Sequence, residues 1–249
     1  MIQVRQLTKR FGQQLVLDRV QFDIAAGESV AIIGRSGVGK SVILKHLIGL
    51  LQPDEGEVSV QGENLSQMSE RQLLKVRGRF GMLFQGAALF DSMTVAQNIA
   101  FALRGNPTLG ADEVRRRIAE VLELVEMPGI EEKMPVQLSG GMQKRVGLAR
   151  AIVHRPEIIL YDEPTTGLDP VVADSIDQLM MRVCERLKVT SIVVTHDMRT
   201  ARRLGRRILM VRGGRIYLDD AAENVFKSQD PVVRQFVDGV ADLKEVLFV

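Results

Sequence analysis

Apolar residues along this chain follow two periods, and their alternation predicts an α/β fold. Short apolar runs predict strands at Ile2–Leu7, Leu15–Val20, Phe22–Ile24, Val30–Ile33, Val58–Val60, Phe80–Phe84, Ile158–Tyr161, Thr190–Thr195, Arg207–Val211 and Ile216–Leu218. Helical patterns are predicted at Ser41–Leu51, at Val171–Leu187 and from Pro231 onward. Strands that alternate with helices in this way are typical of a mostly parallel sheet.

Two regions depart from this alternation. The first three strands have no helices between them, and we expect them to form an antiparallel layer at the edge of the fold. Residues 86–155 contain no strand pattern and carry apolar residues at helical spacing, namely Val114, Ile118, Val121, Leu122 and Val125. The sequence therefore predicts one domain over residues 1–240, with a helical subdomain inserted at about 86–155, and a C-terminal tail over 241–249.

Composition limits the possible partners. The 33 Lys and Arg residues nearly balance the 31 Asp and Glu residues, and the net charge of +2 gives no indication of a nucleic-acid partner. Cys184 is the only cysteine, so the chain forms no internal disulfide. No run approaches the roughly 18 apolar residues of a membrane span. We therefore expect any role at a membrane to depend on a partner.

The strongest local signal is a glycine-rich segment between a predicted buried strand and a predicted helix. It consists of Gly34, Arg35, Ser36, Gly37, Val38, Gly39, Lys40 and Ser41. Glycines let a backbone wrap an anion closely, and the N-terminus of the following helix adds partial positive charge. This pattern predicts a phosphate-binding loop in which Lys40 reaches the terminal phosphates of a nucleotide and the Ser41 hydroxyl holds Mg²⁺.

Two acidic residues follow a later buried strand. Asp162 ends the run that begins at Ile158 and is placed to ligate Mg²⁺, whereas Glu163 is placed to face an attacking water. Pro164 ends the strand at this point. The alternative is a pair of solvated acids in a turn.

A second phosphate-binding surface is predicted at Leu138–Met142. Ser139 is suited to cap a helix from Gly140 to about His154, and Gly140 and Gly141 allow a close approach to a ligand. Taken alone, the segment also fits an ordinary capped helix. Three cations follow on the same helix and indicate a basic helix face, which we do not interpret as a nucleic-acid site, namely Lys144, Arg145 and Arg150.

These segments resemble the ATP-binding-cassette ATPases, the nucleotide-binding subunits of ABC transporters, from about Ile2 to Val225. The motifs stand in the family's order: the Walker A loop at Gly34–Ser41, Gln85, the signature at Leu138–Met142, Walker B at Ile158–Asp162 with Glu163, the dimer loop Thr166–Asp169 and the switch histidine His196. Met142 departs from the usual glutamine. The resemblance implies a P-loop fold with a RecA-like core sheet, an antiparallel β layer and an inserted helical subdomain, and it implies hydrolysis of ATP with Mg²⁺.

The resemblance also implies roles for single residues. Gln85 approaches Mg²⁺ and the attacking water, and His196 reaches the terminal phosphate. Phe11 matches an aromatic that stacks on adenine, although burial of Phe11 in the core is the alternative. Two chains of this family enclose two ATP molecules, each held by the phosphate loop of one chain and by the other chain's signature and dimer loop, here Ser139, Gly140, Gly141 and Asp169.

The partners implied are a second copy of this chain and a multi-span membrane permease that docks near Gly86–Met93, at the cytoplasmic face of the inner membrane. Chromosome-type relatives insert long coiled coils between Lys40 and Ser139, which are only 99 positions apart here. Ribosome-type relatives carry two cassettes in one chain. A cassette that binds ATP only as a regulatory switch is disfavoured by the intact acidic pair and His196.

One segment resembles a particular group within the family. Leu83–Val95 is similar to the ATPases of MCE-type phospholipid transporters, the Mla system of Gram-negative bacteria, and so are Val233–Gly239 and Met142. This resemblance implies phospholipid transport and an MCE-domain lipid-binding subunit. The alternative is the ATPase subunit of a polar amino-acid importer. The helix that begins at Pro231 carries an apolar face, for which packing on its own domain is the alternative to a partner contact.

Overall fold

Two β-sheets form the framework of the chain. A computed structural model describes residues 1–104 and 109–240. The strands are β1 (Ile2–Phe11), β2 (Gln14–Ile24), β3 (Ser29–Ile33), β4 (Glu55–Val60), β5 (Glu63–Asn64), β6 (Phe80–Leu83), β7 (Ile158–Asp162), β8 (Thr190–Thr195), β9 (Arg207–Arg212) and β10 (Arg215–Ala221). The helices are α1 (Lys40–Leu47), α2 (Glu70–Arg77), α3 (Val95–Phe101), α4 (Ala111–Leu124), α5 (Gly140–Ile152), α6 (Pro170–Leu187), α7 (Met198–Leu204), α8 (Ala222–Lys227) and α9 (Pro231–Val237).

The larger sheet has six strands in the order β10-β9-β3-β8-β7-β6. Its strands run parallel except β10, which is antiparallel to β9. This arrangement confirms the predicted α/β fold around a mostly parallel sheet. The carboxyl ends of parallel strands meet at one edge, where Ile33, Leu83, Asp162 and Thr195 lie. Ligands of such sheets bind outside this edge.

The larger sheet is buried on both faces because successive side chains of a strand point to opposite sides. Within β3, Val30 and Ile32 belong to one hydrophobic cluster, and Ala31 and Ile33 belong to the other. Residues of α1 and of β1 and β2 complete the first cluster, and residues of α5, α6 and α7 complete the second. Burial on both faces explains why these strands carry uninterrupted apolar runs.

The smaller sheet contains β2, β1, β4 and β5 in that order, with antiparallel neighbours. The predicted antiparallel layer is confirmed, but the predicted separation of Leu15–Val20 from Phe22–Ile24 is wrong. β2 is continuous through Gln21, because Val20, Phe22 and Ile24 are buried in regular alternation with the exposed Gln21 and Asp23. A bulge lies earlier in the strand. Arg19 has a left-handed φ of 50°, and its amide donates to the Thr8 hydroxyl at 3.2 Å.

The described residues between 86 and 155 contain α3, α4 and α5 and no strand. Ile118, Val121 and Leu122 of α4 are buried, in agreement with their spacing. They pack in the same cluster as residues of α3 and α5. This helical layer therefore shares its core with one face of the larger sheet.

Two predicted helices, α1 and α9, differ in how well their predicted bounds agree with the structure. α1 ends at Leu47 and not at Leu51, because Gly49 adopts a left-handed φ of 64° just beyond the helix. α9 begins at Pro231 as predicted, and its Val233 is fully buried in the chain's own core. The predicted tail over 241–249 lies outside the described residues. Within the part that the structure describes, no helix combines the length and apolar character needed to cross a membrane.

Candidate functional site

The loop between β3 and α1 has a backbone that only glycine fits at two positions. Gly34 has a φ of 153°, and a Cβ there would lie 2.5 Å from the carbonyl oxygen of Val211. Gly39 has a φ of 103°, and a Cβ there would lie 2.7 Å from Cδ2 of Leu17. Gly39 is also the N-cap residue of α1 and has no side chain to bond the first amides of the helix. These amides are therefore available to an anion.

Lys40 places a buried positive charge inside this loop, with 6% of its surface exposed. Its ammonium donates to the carbonyl oxygens of Gly34 at 2.8 Å and Arg35 at 3.0 Å, and it lies 3.6 Å from Oε1 of Glu163. Burial lowers the pKa of Lys40, and the carboxylates of Glu163 and Asp162 oppose that shift. The loop thus combines a buried cation with free helix-end amides, and this combination is suited to bind phosphates.

Ser41 and Asp162 meet although 121 positions separate them. The Ser41 hydroxyl donates to Oδ1 of Asp162 at 2.8 Å. A hydroxyl and a carboxylate beside a phosphate loop are oxygen donors of the kind that Mg²⁺ prefers. Among residues 1–104 and 109–240, no group of three or more His, Cys, Asp or Glu side chains could hold a metal ion by itself. The pair therefore fits Mg²⁺ that takes its remaining ligands from a nucleotide and water.

Glu163 and His196 lie in direct contact at the same edge of the sheet. Glu163 follows β7 with a left-handed φ of 48°, and its amide donates to the carbonyl oxygen of Val194 at 2.9 Å. Its carboxylate lies 2.7 Å from Nδ1 of His196 and accepts a hydrogen bond from the Thr166 hydroxyl at 3.2 Å. Thr166 is a contact that the sequence did not indicate. The strand end and two side chains thus fix the direction of the Glu163 carboxylate.

One cavity of about 280 Å³ joins these groups. It is lined by Ser36, Gly37, Gly39, Lys40, Ser41, Val42, Gln85, Glu163 and His196. Four segments of the chain contribute side chains to this space, which lies at the carboxyl ends of β3, β6, β7 and β8. The cavity is suited to bind phosphates, and the particular role of each side chain stays a prediction.

The second predicted phosphate-binding surface lies apart from this cavity. Ser139 caps α5, and its hydroxyl accepts a hydrogen bond from the amide of Met142 at 3.3 Å. A Cβ at Gly141 would lie 2.6 Å from Cγ1 of Val172, so Gly141 is also needed for the packing of α5 on α6. None of Ser139, Gly140 and Gly141 lines the cavity around Lys40.

Two further residues predicted to contact the nucleotide are exposed. Asp169 caps α6, and its carboxylate accepts hydrogen bonds from the amides of Val171 and Val172 at 3.0 and 3.1 Å. Phe11 is 47% exposed at the end of β1, and the Lys9 ammonium lies 5.7 Å from the centroid of its ring. The alternative of a buried core position for Phe11 is therefore wrong.

The basic face predicted on α5 is turned mostly toward the chain itself, since Lys144 is buried and Arg145 and Arg150 are half-buried. Lys144 is only 5% exposed, and its ammonium donates to the carbonyl oxygen of Gln85. Arg150 donates to the carbonyl oxygens of Ala88 at 2.6 Å and Ala87 at 2.7 Å. Burial lowers the pKa of both cations. Their acceptors are backbone groups about 60 positions away, which no helical periodicity reveals.

A phosphate loop, a strand-end acidic pair and a separate serine-capped glycine helix, all on this sheet topology, define an ATP-binding-cassette ATPase. The family model described as ABC transporter matches residues 17–166. The chain belongs to this family, and it is an ATP-binding subunit that hydrolyses ATP.

Several relatives match nearly the whole chain. The probable ribonucleotide transport ATP-binding protein mkl of Mycobacterium leprae is 42% identical over 238 residues, which cover 96% of this chain and 69% of the relative. The intermembrane phospholipid transport system ATP-binding protein MlaF of Haemophilus influenzae is 37% identical, with 97% and 92% covered. The methionine import ATP-binding protein MetN of Geobacillus kaustophilus is 38% identical, with 98% and 73% covered.

A solved structure matches as well. It is a dimeric ATP-binding cassette in a post-hydrolysis state bound to ADP and Pi, and it is 34% identical with a TM-score of 0.79. The match covers 89% of this chain and 99% of that structure. The fold of the chain is thus that of a cassette with a documented dimeric, nucleotide-bound form.

Proposed function

We propose that this chain is the ATP-hydrolysing subunit of a membrane transporter and that it works as a homodimer around two ATP molecules. The observation that carries the proposal is the separation of the two phosphate-binding surfaces. Lys40 and Glu163 face one cavity, whereas Ser139 caps a helix that does not reach it. A second copy would bring its own Ser139 end of α5 to the open side of the cavity. The dimeric, ADP-bound cassette of similar fold supports this arrangement.

Within the cavity, the proposed roles follow from position and chemistry. The backbone amides of the loop and the Lys40 ammonium bind the phosphates, and Ser41, Asp162 and Gln85 hold Mg²⁺. Mg²⁺ would neutralise charge on the phosphate oxygens when bound. The Glu163 carboxylate orients the attacking water and accepts its proton, and His196, whose Nδ1 lies 2.7 Å from that carboxylate, reaches the terminal phosphate.

The first test separates hydrolysis from dimer closure. Glu163→Gln removes the proton acceptor and keeps the shape of the side chain. We therefore expect ATP-dependent dimers in size-exclusion chromatography and a loss of ATPase rate by about 10²-fold or more. Ser139→Arg should bind ATP and stay monomeric, because a bulky cation replaces the helix cap. Lys40→Ala should fail at ATP binding. ATP-driven dimers of Ser139→Arg would contradict the shared site.

We also propose that the permease docks on the surface around Gly86–Met93. Ala88 and Phe90 are exposed there, and the Phe90 ring packs at a tilt against the exposed Phe101 ring with 4.7 Å between centroids. Ala87, in contrast, is buried against α5. Of the two alanines in this segment, only Ala88 is therefore available to a partner, with Phe90 close by.

This surface is tested by a matched pair of variants. Ala88→Glu should leave the ATPase rate of the isolated chain nearly unchanged and should prevent co-purification with the permease, because a charged side chain replaces a small apolar one. Ala88→Ser, which stays small, should assemble as the parent does. Assembly of Ala88→Glu at the parental level would exclude Ala88 from the interface.

For the cargo, we propose phospholipid, with an MCE-domain protein as a further subunit and attachment at the cytoplasmic face of the inner membrane. The similarity to MlaF supports this proposal. The second candidate is an amino-acid importer, and the similarity to the methionine import protein MetN supports an amino acid as cargo without supporting a polar one. The full complex in vesicles decides between them. A phospholipid cargo predicts ATPase stimulation by phospholipid and no methionine uptake, and the reverse result would favour the importer.

A further inference from the structure

A strip of residues on α5 contacts the turn that begins at Gln85. The strip consists of Lys144, Gly147 and Arg150, which are spaced three apart and therefore follow one ridge of the helix. At its centre, a Cβ on Gly147 would lie 2.9 Å from Cδ1 of Leu83 and 3.2 Å from Cβ of Ala87. The helix therefore lies directly against the end of β6 and the turn that follows.

The two cations of the strip bind the backbone of this turn from both ends. The Lys144 ammonium donates to the carbonyl oxygen of Gln85, and the Arg150 guanidinium donates to those of Ala87 and Ala88. A guanidinium with two donors in a fixed plane sets the orientation of two successive carbonyls. The position of the turn is thus tied to the position of α5.

The turn has a backbone that needs such support. Ala87 and Ala88 both have left-handed φ values, 57° and 50°, which an L-residue with a Cβ adopts at a cost. Two successive residues of this kind hold their conformation only where the surroundings impose it. The described contacts that impose it are the Arg150 bonds and the hydrogen bond from the Ala87 amide to the carbonyl of Phe84 at 3.0 Å.

We propose that Lys144 and Arg150 are positioning residues that carry a displacement of α5 to the turn Gln85–Ala88, so that the partner's ATP at Ser139 sets the position of Gln85 in this chain's own cavity. This proposal rests on the proposed dimer, because only there does Ser139 contact a nucleotide. α5 joins the two sites physically: its N-terminus presents Ser139, and its ridge holds the residue that lines the cavity with Lys40. Each of the two ATP molecules would thereby affect the position of Gln85 in both chains: in the chain whose cavity holds it, and in the chain whose Ser139 contacts it.

A tryptophan reporter tests this coupling. The chain contains no tryptophan, so Phe90→Trp gives one emission signal just beyond Ala88, where the backbone is fixed to Asn98 by two hydrogen bonds. In the Glu163→Gln background, ATP should form dimers and shift the emission. Adding Ser139→Arg should leave only the part of the shift that comes from the chain's own ATP. Equal shifts in the monomer and the closed dimer would overturn the proposal.

The matched variants are changes to two cations of α5. Arg150→Met should keep ATP-driven dimers but reduce the emission shift to that of the Ser139→Arg monomer, and Arg150→Lys should restore part of it. Arg145→Met is the control, because Arg145 binds Val125 and Glu126 and not the turn, and it should keep the full shift. A full shift in Arg150→Met dimers would also overturn the proposal. If Arg150→Met does not fold, a full emission shift in Arg150→Lys would overturn the proposal in its place. If the Glu163→Gln protein that carries Phe90→Trp forms no dimers with ATP, the result would instead refute the proposed function.

Discussion

A buried carboxyl on α6 should make the stability of this chain depend on pH in a way that one substitution removes. Asp177 is 3% exposed, its Oδ2 accepts a hydrogen bond from the Thr200 hydroxyl at 2.8 Å, and its Oδ1 is buried without a partner. Burial raises the pKa of Asp177 from 3.8 to about 6, the Thr200 hydrogen bond opposes the shift, and Asp197 adds to it. The folded chain therefore keeps this proton over a range in which the unfolded chain has lost it.

The sign and size of the effect follow from that difference. Because the folded-state pKa is raised, the stability that Asp177 contributes is fully present below about pH 4 and is lost as pH rises to about 6, with no further change above. About two pKa units at about 1.4 kcal/mol each give about 3 kcal/mol. Asp177→Asn cannot ionise, so its free energy of unfolding minus that of the parent should rise by about this amount between these pH values.

Urea unfolding of both proteins at a series of pH values measures the difference. The other titrating groups, including the buried His46 and the half-buried His154, are common to both proteins and cancel to first order. We expect the difference to level off above about pH 6. A difference that stays flat from acid to neutral pH would show that Asp177 is ionised at its usual pKa and would refute the reasoning from burial.

Three further predictions concern the nucleotide site. Gly141→Ala should lower the free energy of unfolding by about 1–3 kcal/mol, because the added Cβ would clash with Val172. Gly140→Ala, whose Cβ would lie 3.4 Å from its nearest neighbour atom, should unfold at the parental temperature. Equal unfolding midpoints for the two variants would contradict the packing role of Gly141. Phe11→Ala should raise the KM for ATP by about 2- to 10-fold at unchanged kcat if the ring stacks on adenine, and an unchanged KM would exclude stacking. Ser41→Ala should raise the Mg²⁺ concentration for half-maximal ATPase activity by about tenfold or more, and an unchanged Mg²⁺ profile would remove Ser41 from the metal site.

Contiguous features of the site could be predicted from the sequence because their chemistry is local. The loop Gly34–Ser41 needs its glycines for its own backbone, and Ser139 needs only the next three residues to act as a helix cap. The contact of Ser41 with Asp162 spans 121 positions, yet it follows from the fold. Both residues lie at the carboxyl edge of one parallel sheet, where the strand ends converge.

The features that could not be predicted depend on backbone groups far away in sequence. Lys144 and Arg150 have the composition of a solvated helix face, but carbonyl oxygens of the Gln85–Ala88 turn accept their hydrogen bonds, so that Lys144 is buried and Arg150 is half-buried. The bulge at Arg19 could not be predicted for a similar reason, since the Arg19 amide bonds to the Thr8 side chain of another strand. Hydrophobic periodicity describes which side chains are apolar, and it carries no information on which main-chain acceptors lack a partner.

The position of α5 gives the proposed dimer a physical basis for linking hydrolysis to movement. The helix has no charged partner for Lys144 or Arg150 among its described hydrogen bonds, only carbonyl oxygens of one turn. Carbonyl acceptors tie a cation to the path of the main chain, whereas a carboxylate on a flexible side chain could follow a moving partner without transmitting the displacement. This turn begins at Gln85, which lines the ATP cavity, and ends at Ala88, which is exposed on the proposed permease surface. A shift of Ser139 on closing the dimer would thus reach both the cavity and the permease through the same few bonds.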